Sequence, residues 1–372
     1  MPVRCAILPP VPVPYREPLF ARLAQRARID PRVIYLSATQ PGWDMRPEWF
    51  SAAGSYPHEM LDARQRRRAG RSPVLLPQGL APALKRSDPE CVVSWEFGPA
   101  TWRALAWCRR RGVPLVAFSE LTLWSDRELT SAQLRVHRAL APRLDGFIVA
   151  SSGGVERLAR LGVEPERIEV ALQSADLDPF LALRERDHGE RPVRVLCVTR
   201  LVPDKNLATL IAAFASGGFA RGEAELVLAG TGPLEGELRA TARASGAAVT
   251  FAGYVGPRKL PALYAGAHVI VLVSTYEPFG VTMREGAAAG LPLLCSRRAG
   301  AAGDVAVEGE NALLVDPEDR DGITQALRCL VRDDALRGRL AEGSRAVTAR
   351  HPPEADAEAW ERAVINAVQL AR

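Results

Sequence analysis

The sequence predicts an α/β protein built from two doubly wound parallel-sheet domains. Short, continuous apolar runs alternate with helical stretches, the pattern of a parallel sheet covered on both faces. The alternation runs once, is interrupted by a charged stretch near the middle, and then starts again. A chain of 372 residues is long enough for two such cores without disulfides or metals.

In the first half, Val3–Leu8 reads as a strand, ended by Pro9, Pro10, Pro12 and Pro14. A helix is expected from Pro18, where proline suits the first turn, through Leu19, Phe20, Leu23 and Ala24. Val33–Leu36, Cys91–Trp95, Leu115–Ser119 and Phe147–Ala150 are further strands, with helices over Thr101–Arg111 and Ser152–Leu161. Residues 40–79 break the rhythm with Trp43, Trp49, Phe50, Tyr56 and His58 among prolines and arginines. An excursion of that length reads as a lid or binding loop, or equally as aromatics tucked back onto the core.

Ala171–Glu190 is polar and charged and is expected to be the linker. Beyond it, strands at Val193–Thr199, Ala224–Ala229, Val249–Phe251, Val269–Val273 and Leu291–Cys295 alternate with helices. Those helices are Asn206–Phe214, Leu234–Ala244, Leu260–Tyr264 and Val281–Ala289. Trp360, Ala363, Val364, Ala367, Val368 and Ala371 form one face of a last amphipathic helix. The expected organisation is therefore residues 1–175, residues 190–350, and a helix at 351–372 that packs back on the first domain. Doubly wound domains bind ligands beyond the carboxyl ends of their strands, here in a cleft between the two.

Composition narrows the function. Net charge is +5 with a pI near 9.0, which favours anionic ligands or a membrane surface. Peripheral membrane contact stays open, although no basic amphipathic helix supports it. The basic run Arg66–Arg68 lacks interleaved aromatics and reads as a solvated loop, so nucleic acid is not expected as a partner. The six cysteines and five histidines are scattered singly, with no metal-ligand spacing. Asp176-Leu177-Asp178 falls in the expected linker, so no metal is assigned to it. No apolar run is long enough to span a bilayer, and Val3–Leu8 is too short for a secretory signal, so a cytoplasmic location is expected.

The most informative stretch runs from Ser274 to Ala287, STYEPFGVTMREGA. A buried strand feeds a loop with Glu277, Pro278 and Gly280, then a helix with Glu285 about two turns along. Loop amides and the helix N-terminus make a donor-rich mouth for anionic or polyhydroxyl ligands. A capped helix with one solvent-facing glutamate would read the same way.

This stretch resembles the E-x7-E signature of the retaining glycosyltransferases of family 4, which share the GT-B architecture of two Rossmann-like domains facing a central cleft. The resemblance extends over Val193–Asp316. It takes in Val198–Asn206 (VTRLVPDKN), the glycine turn Ala229–Leu234 (AGTGPL), Phe251–Val255 (FAGYV), Gly290–Pro292 and Gly309–Val315. It implies a transferase that moves a hexose-type sugar from a nucleotide diphosphate sugar, UDP first and GDP or dTDP open, to a hydroxyl of a small molecule or lipid-linked saccharide. The nucleotide sugar is substrate, and no cofactor is implied. Retention of configuration follows from the resemblance alone.

Arg200 and Lys205 would face the donor diphosphate, Glu277 the donor sugar, and Glu285 the nucleotide ribose. Preorganised cations at a departing phosphate need no metal. Gly230, Gly232, Tyr254, Val255, Pro278, Phe279, Gly280 and Val281 would complete the donor site. Replacing Lys205 or Glu277 by alanine is expected to abolish most turnover without disturbing folding. The first half departs from the family: Pro9–Pro14 precedes Tyr15 and Arg16 where a glycine pair is usual, and Glu120 stands where a histidine is usual. Glu120 could bind acceptor hydroxyls or help remove a proton, or simply cap the next segment. A nucleotide-sugar epimerase and a non-catalytic nucleotide-sugar-binding protein are the rival readings. A nicotinamide dehydrogenase is disfavoured, because Gly230–Gly236 spaces its glycines one residue off the dinucleotide fingerprint.

Overall fold

The computed structural model describes residues 1–39, 55–68, 71–183 and 191–371. The chain divides into two compact units, Met1–Asp176 with Pro353–Arg372, and Leu177–Pro352.

The first unit opens with β1 (Val3–Leu8), α1 (Glu17–Ala24), β2 (Ile29–Tyr35), β3 (His58–Met60), β4 (Ala63–Arg68), β5 (Arg71–Pro77) and α2 (Leu80–Ser87). It continues through β6 (Cys91–Trp95), α3 (Pro99–Arg111), β7 (Leu115–Ser119), α4 (Ser131–Leu140), β8 (Gly146–Val149), α5 (Ser152–Arg160) and β9 (Ile168–Val170). Seven strands form one sheet in the order β3-β2-β1-β6-β7-β8-β9, while β4 and β5 pair as a separate antiparallel hairpin. All pairings in the large sheet are parallel. β6 and β7 are buried along their whole length, as continuous apolar runs between two helical layers should be.

The second unit holds α6 (Asp178–Leu181), β10 (Val193–Val198), α7 (Leu207–Ser216), β11 (Ala224–Ala229), α8 (Glu235–Ser245), β12 (Val249–Gly253) and α9 (Leu260–Ala265). Then come β13 (Val269–Leu272), α10 (Val281–Ala288), β14 (Leu293–Ser296), β15 (Ala312–Val315), α11 (Arg320–Arg332) and α12 (Asp334–Arg350). Its sheet is parallel throughout, in the order β12-β11-β10-β13-β14-β15. The order reverses between β10 and β13, and in the first unit between β1 and β6. Those are the switch points beyond which doubly wound sheets hold ligands.

The last helix, α13 (Pro353–Leu370), belongs to the first unit. Trp360 is 1% exposed, and its ring lies 5.4 Å from Phe118 and 5.8 Å from Trp95. Glu361 is buried and pairs with Arg26 of the α1–β2 turn.

Two expectations from the sequence are corrected here and a third is refined. Within the 40–79 excursion, residues 40–54 lie outside the described residues, but the rest carries β3 and the β4–β5 hairpin. Arg66–Arg68 is strand backbone in that hairpin, not loop. β4 was hidden because its sequence, ARQRRR, has no apolar alternation; its backbone is satisfied by β5 instead. The expected linker does contain the boundary between the two units, at Asp176/Leu177, but its first part is not solvated. Ala171, Leu172, Gln173, Ser174, Ala175 and Leu177 are buried, while Asp176, Asp178, Pro179, Leu181 and Ala182 are exposed around α6. Residues 184–190 lie outside the described residues. No helix among the described residues is long and apolar enough to cross a membrane.

Candidate functional site

Two loops meet at the switch point of the second sheet. One leaves β10 at Thr199-Arg200, turns through Pro203–Lys205 and enters α7; the other leaves β13 at Val273 and enters α10. They are joined through the main chain, the Thr275 amide donating to the Asp204 carbonyl at 3.0 Å. Asn206 locks the junction. It takes a left-handed φ of 56°, which asparagine tolerates. Its side-chain amide donates to the carbonyls of Val273 at 3.2 Å and Pro317 at 2.7 Å.

This junction brings Lys205 and Glu277 into contact. Lys205 Nζ lies 2.6 Å from Glu277 Oε2, with the side chains 9% and 14% exposed. Ser274 Oγ donates to the same oxygen at 3.4 Å. Removing either partner of such a nearly enclosed pair carries a stability cost, because the survivor is left charged and poorly solvated. The expectation that alanine at either position leaves folding untouched is therefore revised. The Glu277 carbonyl accepts from Gly300 at 3.1 Å, and Phe279 carbonyl from Ala301 at 2.8 Å, so the loop is tied to the segment after β14 as well. Cys197, beneath the pair, is a buried thiol pushed up to about 12 by burial, which leaves it no thiolate chemistry near neutrality.

Glu285 sits on α10, and Tyr264 of α9 donates its hydroxyl to Glu285 Oε2 at 2.6 Å. Tyr264 is fully buried and its ring packs edge-on against Phe180, centroids 4.9 Å apart. Sequence reasoning missed Tyr264 as a support. The signal was there, since a tyrosine on an apolar helix face must find a partner for its hydroxyl.

The remaining residues fall around this centre. Arg200 is exposed, just beyond β10. Gly230 has a φ of 139°, and a Cβ there would lie 1.8 Å from the Thr199 carbonyl oxygen; at Gly232 it would lie 2.3 Å from that of Leu201. The glycine turn thus lets two backbones touch, and Leu201 donates to Thr231 at 2.9 Å while Leu234 donates to Leu201 at 3.1 Å. It buttresses the Arg200 loop. Tyr254 and Val255 are half-buried past β12. Gly280 caps α10, whose first residue is Val281. Pro278 is half-buried, and the Phe279 side chain is buried, leaving its backbone to offer.

A second polar cluster forms in the first unit. Glu120, just past β7, accepts on Oε1 from Arg16 Nη2 and from Gln173 Nε2, both at 2.9 Å. It is an ion-pair partner rather than a cap of the next segment. The Arg16 guanidinium also covers the Trp95 ring, 4.6 Å from its centroid, a cation–π contact that holds its plane. Gln173 was hidden from sequence reasoning because it lies in the stretch read as linker.

Comparison with known proteins gives a consistent result. Residues 182–347 match the family model described as glycosyl transferases group 1, and residues 18–178 match that of glycosyltransferase family 4. Glycogen synthase of Mycobacterium tuberculosis is 30% identical over 228 residues, 60% of this chain and 54% of the relative. A GDP-mannose-dependent alpha-(1-6)-phosphatidylinositol monomannoside mannosyltransferase of the same organism is 34% identical over 154 residues, 39% of this chain and 40% of the relative. The chain spans about half the length of the curated relatives it matches. Among solved structures, Anabaena Alr3699/HepE in complex with UDP is similar with a TM-score of 0.76 at 18% identity, covering 95% of this chain and 97% of that one. That likeness shows the fold, the GT-B architecture of two Rossmann-like domains.

Proposed function

The chain belongs to the glycosyltransferases of family 4, and on that premise we propose that it is a retaining hexosyltransferase acting on a nucleotide diphosphate sugar. The favoured donor is a UDP-sugar, and the acceptor is a hydroxyl of a small molecule or lipid-linked saccharide. The observation that carries the reading is the Lys205–Glu277 pair at the switch point of the second sheet, with Glu285 on the helix that follows.

In the reaction the bond between the anomeric carbon and the diphosphate oxygen breaks, and a bond to the acceptor oxygen forms as that hydroxyl passes its proton to the departing diphosphate oxygen. Charge accumulates on the departing diphosphate. Lys205 has three N–H donors and uses one on Glu277, so it can bridge that carboxylate and a phosphate oxygen. Held by two loops, it needs no rearrangement as charge develops, the condition for large electrostatic stabilisation. Arg200 adds a second cation at the mouth. Glu277 accepts from donor-sugar hydroxyls, and Glu285, oriented by Tyr264, accepts from the ribose. On the first unit, Glu120 accepts a hydrogen bond from the acceptor hydroxyl. We assign no cofactor and no metal to these steps. The net charge of +5 favours a transient hold on an anionic membrane surface in the cytoplasm.

UDP is supported by the UDP complex of the Anabaena protein, whereas the mannosyltransferase relative supports GDP. A thermal-shift panel of UDP, GDP and dTDP, with NAD as control, separates them. A ligand at 100 times its Kd stabilises by about 2.7 kcal/mol, a shift of a few degrees. A shift with one nucleoside diphosphate fixes the donor's nucleotide, and none with any overturns the donor site. Incubation with nucleotide sugar alone distinguishes an epimerase, which converts the donor without acceptor.

A further inference from the structure

Glu96 is the first residue past β6, at the switch point of the first sheet, and nothing in the sequence drew attention to it. Its φ is 54°, a left-handed conformation that a side chain with a Cβ rarely adopts. The residue is fastened at four points. Its amide donates to the Phe118 carbonyl at 2.8 Å, and its carbonyl accepts from the Thr101 hydroxyl at 2.7 Å. Its carboxyl accepts from Ser119 Oγ at 2.8 Å on Oε2, and from the Glu120 amide at 2.7 Å on Oε1. Strain so thoroughly supported marks a position where the conformation matters.

Both carboxyl contacts fall on the turn that carries Glu120. Glu120 in turn spends Oε1 on Arg16 and Gln173. Among the described residues its Oε2 makes no hydrogen bond, and its side chain is 18% exposed. We propose that Glu96 is a positioning residue for the acceptor side of the reaction, clamping the Ser119–Glu120 turn so that Glu120 presents Oε2 to the acceptor hydroxyl. This rests on the glycosyl-transfer reading given above.

The clamp is also a proton site. Burial raises Glu96 to about 7 and the charge of Glu120 adds to the rise, while the hydrogen bonds from the Glu120 amide and Ser119 oppose it. The other charged group facing it is Arg157 of α5, which lowers it and is itself engaged with Asp126 at 2.7 Å and with His137 of α4 at 2.7 Å. His137 is held down to about 4 by burial and by Arg157, so it stays neutral while Glu96 titrates. Arg16 reaches the cluster through Glu120.

The test uses the full chain labelled with carboxyl-13C glutamate, as wild type, Glu96→Gln, Glu96→Ala and Glu120→Gln. The two glutamine variants assign the two carboxyl resonances. In the wild type the Glu120 resonance should carry an inflection near pH 7 that disappears in both Glu96 variants. A Glu120 resonance that moves identically in all three overturns the clamp, whether or not the enzyme turns over. Steady-state transfer from UDP-glucose to n-octyl β-D-glucoside supplies the second readout. Glu96→Ala should raise KM for the glucoside about tenfold or more while donor KM stays within about twofold. Glu96→Gln, which can still accept from the Glu120 amide, should recover most of that loss yet flatten the pH profile between 6 and 8. Equal rises in both KM values would reduce Glu96 to a folding residue. UDP binding by thermal shift is the control: a wild type that binds no nucleoside diphosphate refutes the glycosyl-transfer reading, a result distinct from a silent Glu120 resonance.

Discussion

Breaking the Lys205–Glu277 pair from each side gives the sharpest test of the second unit. Lys205→Met keeps the length of the side chain and removes its charge; Glu277→Gln keeps the shape of the carboxylate. Removing one partner of a fully buried pair costs about 3–5 kcal/mol. Here both side chains keep some access to water, 9% and 14%, and Glu277 retains the Ser274 hydroxyl at 3.4 Å. That access lowers the cost to about 2–3 kcal/mol for each single variant, just under the fully buried range. The double variant leaves no orphaned charge and should cost about 1 kcal/mol or less, so the coupling energy comes to about 3 kcal/mol or more. All seven tryptophans lie outside Leu177–Pro352, so urea unfolding should be followed by far-UV circular dichroism. Single-variant costs that simply add, with coupling below about 0.5 kcal/mol, would mean the pair is not formed in solution. Turnover supplies the functional side: Lys205→Met should lose about 10²-fold or more in kcat. A near-native kcat would remove Lys205 from the diphosphate.

Three further outcomes follow from the geometry. Tyr264→Phe deletes the 2.6 Å bond to Glu285 and should weaken nucleotide binding about tenfold by calorimetry, with Glu285→Ala weaker still; unchanged affinity in Glu285→Ala would rule out the ribose role. Gly230→Ala would put a Cβ 1.8 Å from the Thr199 carbonyl oxygen at a φ of 139°, and should destabilise the second unit by about 3 kcal/mol or more. Glu96 binds its proton more tightly in the folded state, about 7 against an ordinary 4.5, so wild-type stability should fall as pH rises from about 4.5 to about 7 and then level off. Glu96→Gln lacks that slope, and tryptophan fluorescence during urea unfolding should show it gaining about 2–3 kcal/mol on the wild type between pH 5 and 8; parallel curves would contradict the raised carboxyl.

The second unit was far more legible in the sequence than the first, for a physical reason. Its candidate site residues sit within a few residues of strand ends, so Lys205 follows Val193–Val198 and Glu277 follows Val269–Leu272 with little room for ambiguity. What pairs with what was not legible, because the Lys205–Glu277 contact joins residues 72 apart in sequence. In the first unit, Glu96 looks like any polar residue ending an apolar run. Its meaning comes from Ser119 and Glu120, delivered by the neighbouring strand β7. Gln173 was lost inside a stretch read as linker, and strand β4 because ARQRRR has no apolar alternation. The periodic apolar residues Ile323, Leu327, Leu330 and Val331 of α11 were readable and simply lay outside the motifs that drew attention.

The return of α13 to the first unit has a consequence for how the protein is made. Trp360 covers the ring faces of Phe118 and Trp95, yet it is synthesised only after the entire second unit. At 5–20 residues per second, translation of the second unit keeps the first waiting roughly 10–35 s. The second unit can fold as one continuous piece as it emerges. Until α13 arrives, the nascent first unit carries an uncovered aromatic face, the kind of surface to which a chaperone binds. Order of synthesis and order of completion are thereby reversed: the part translated first is finished last.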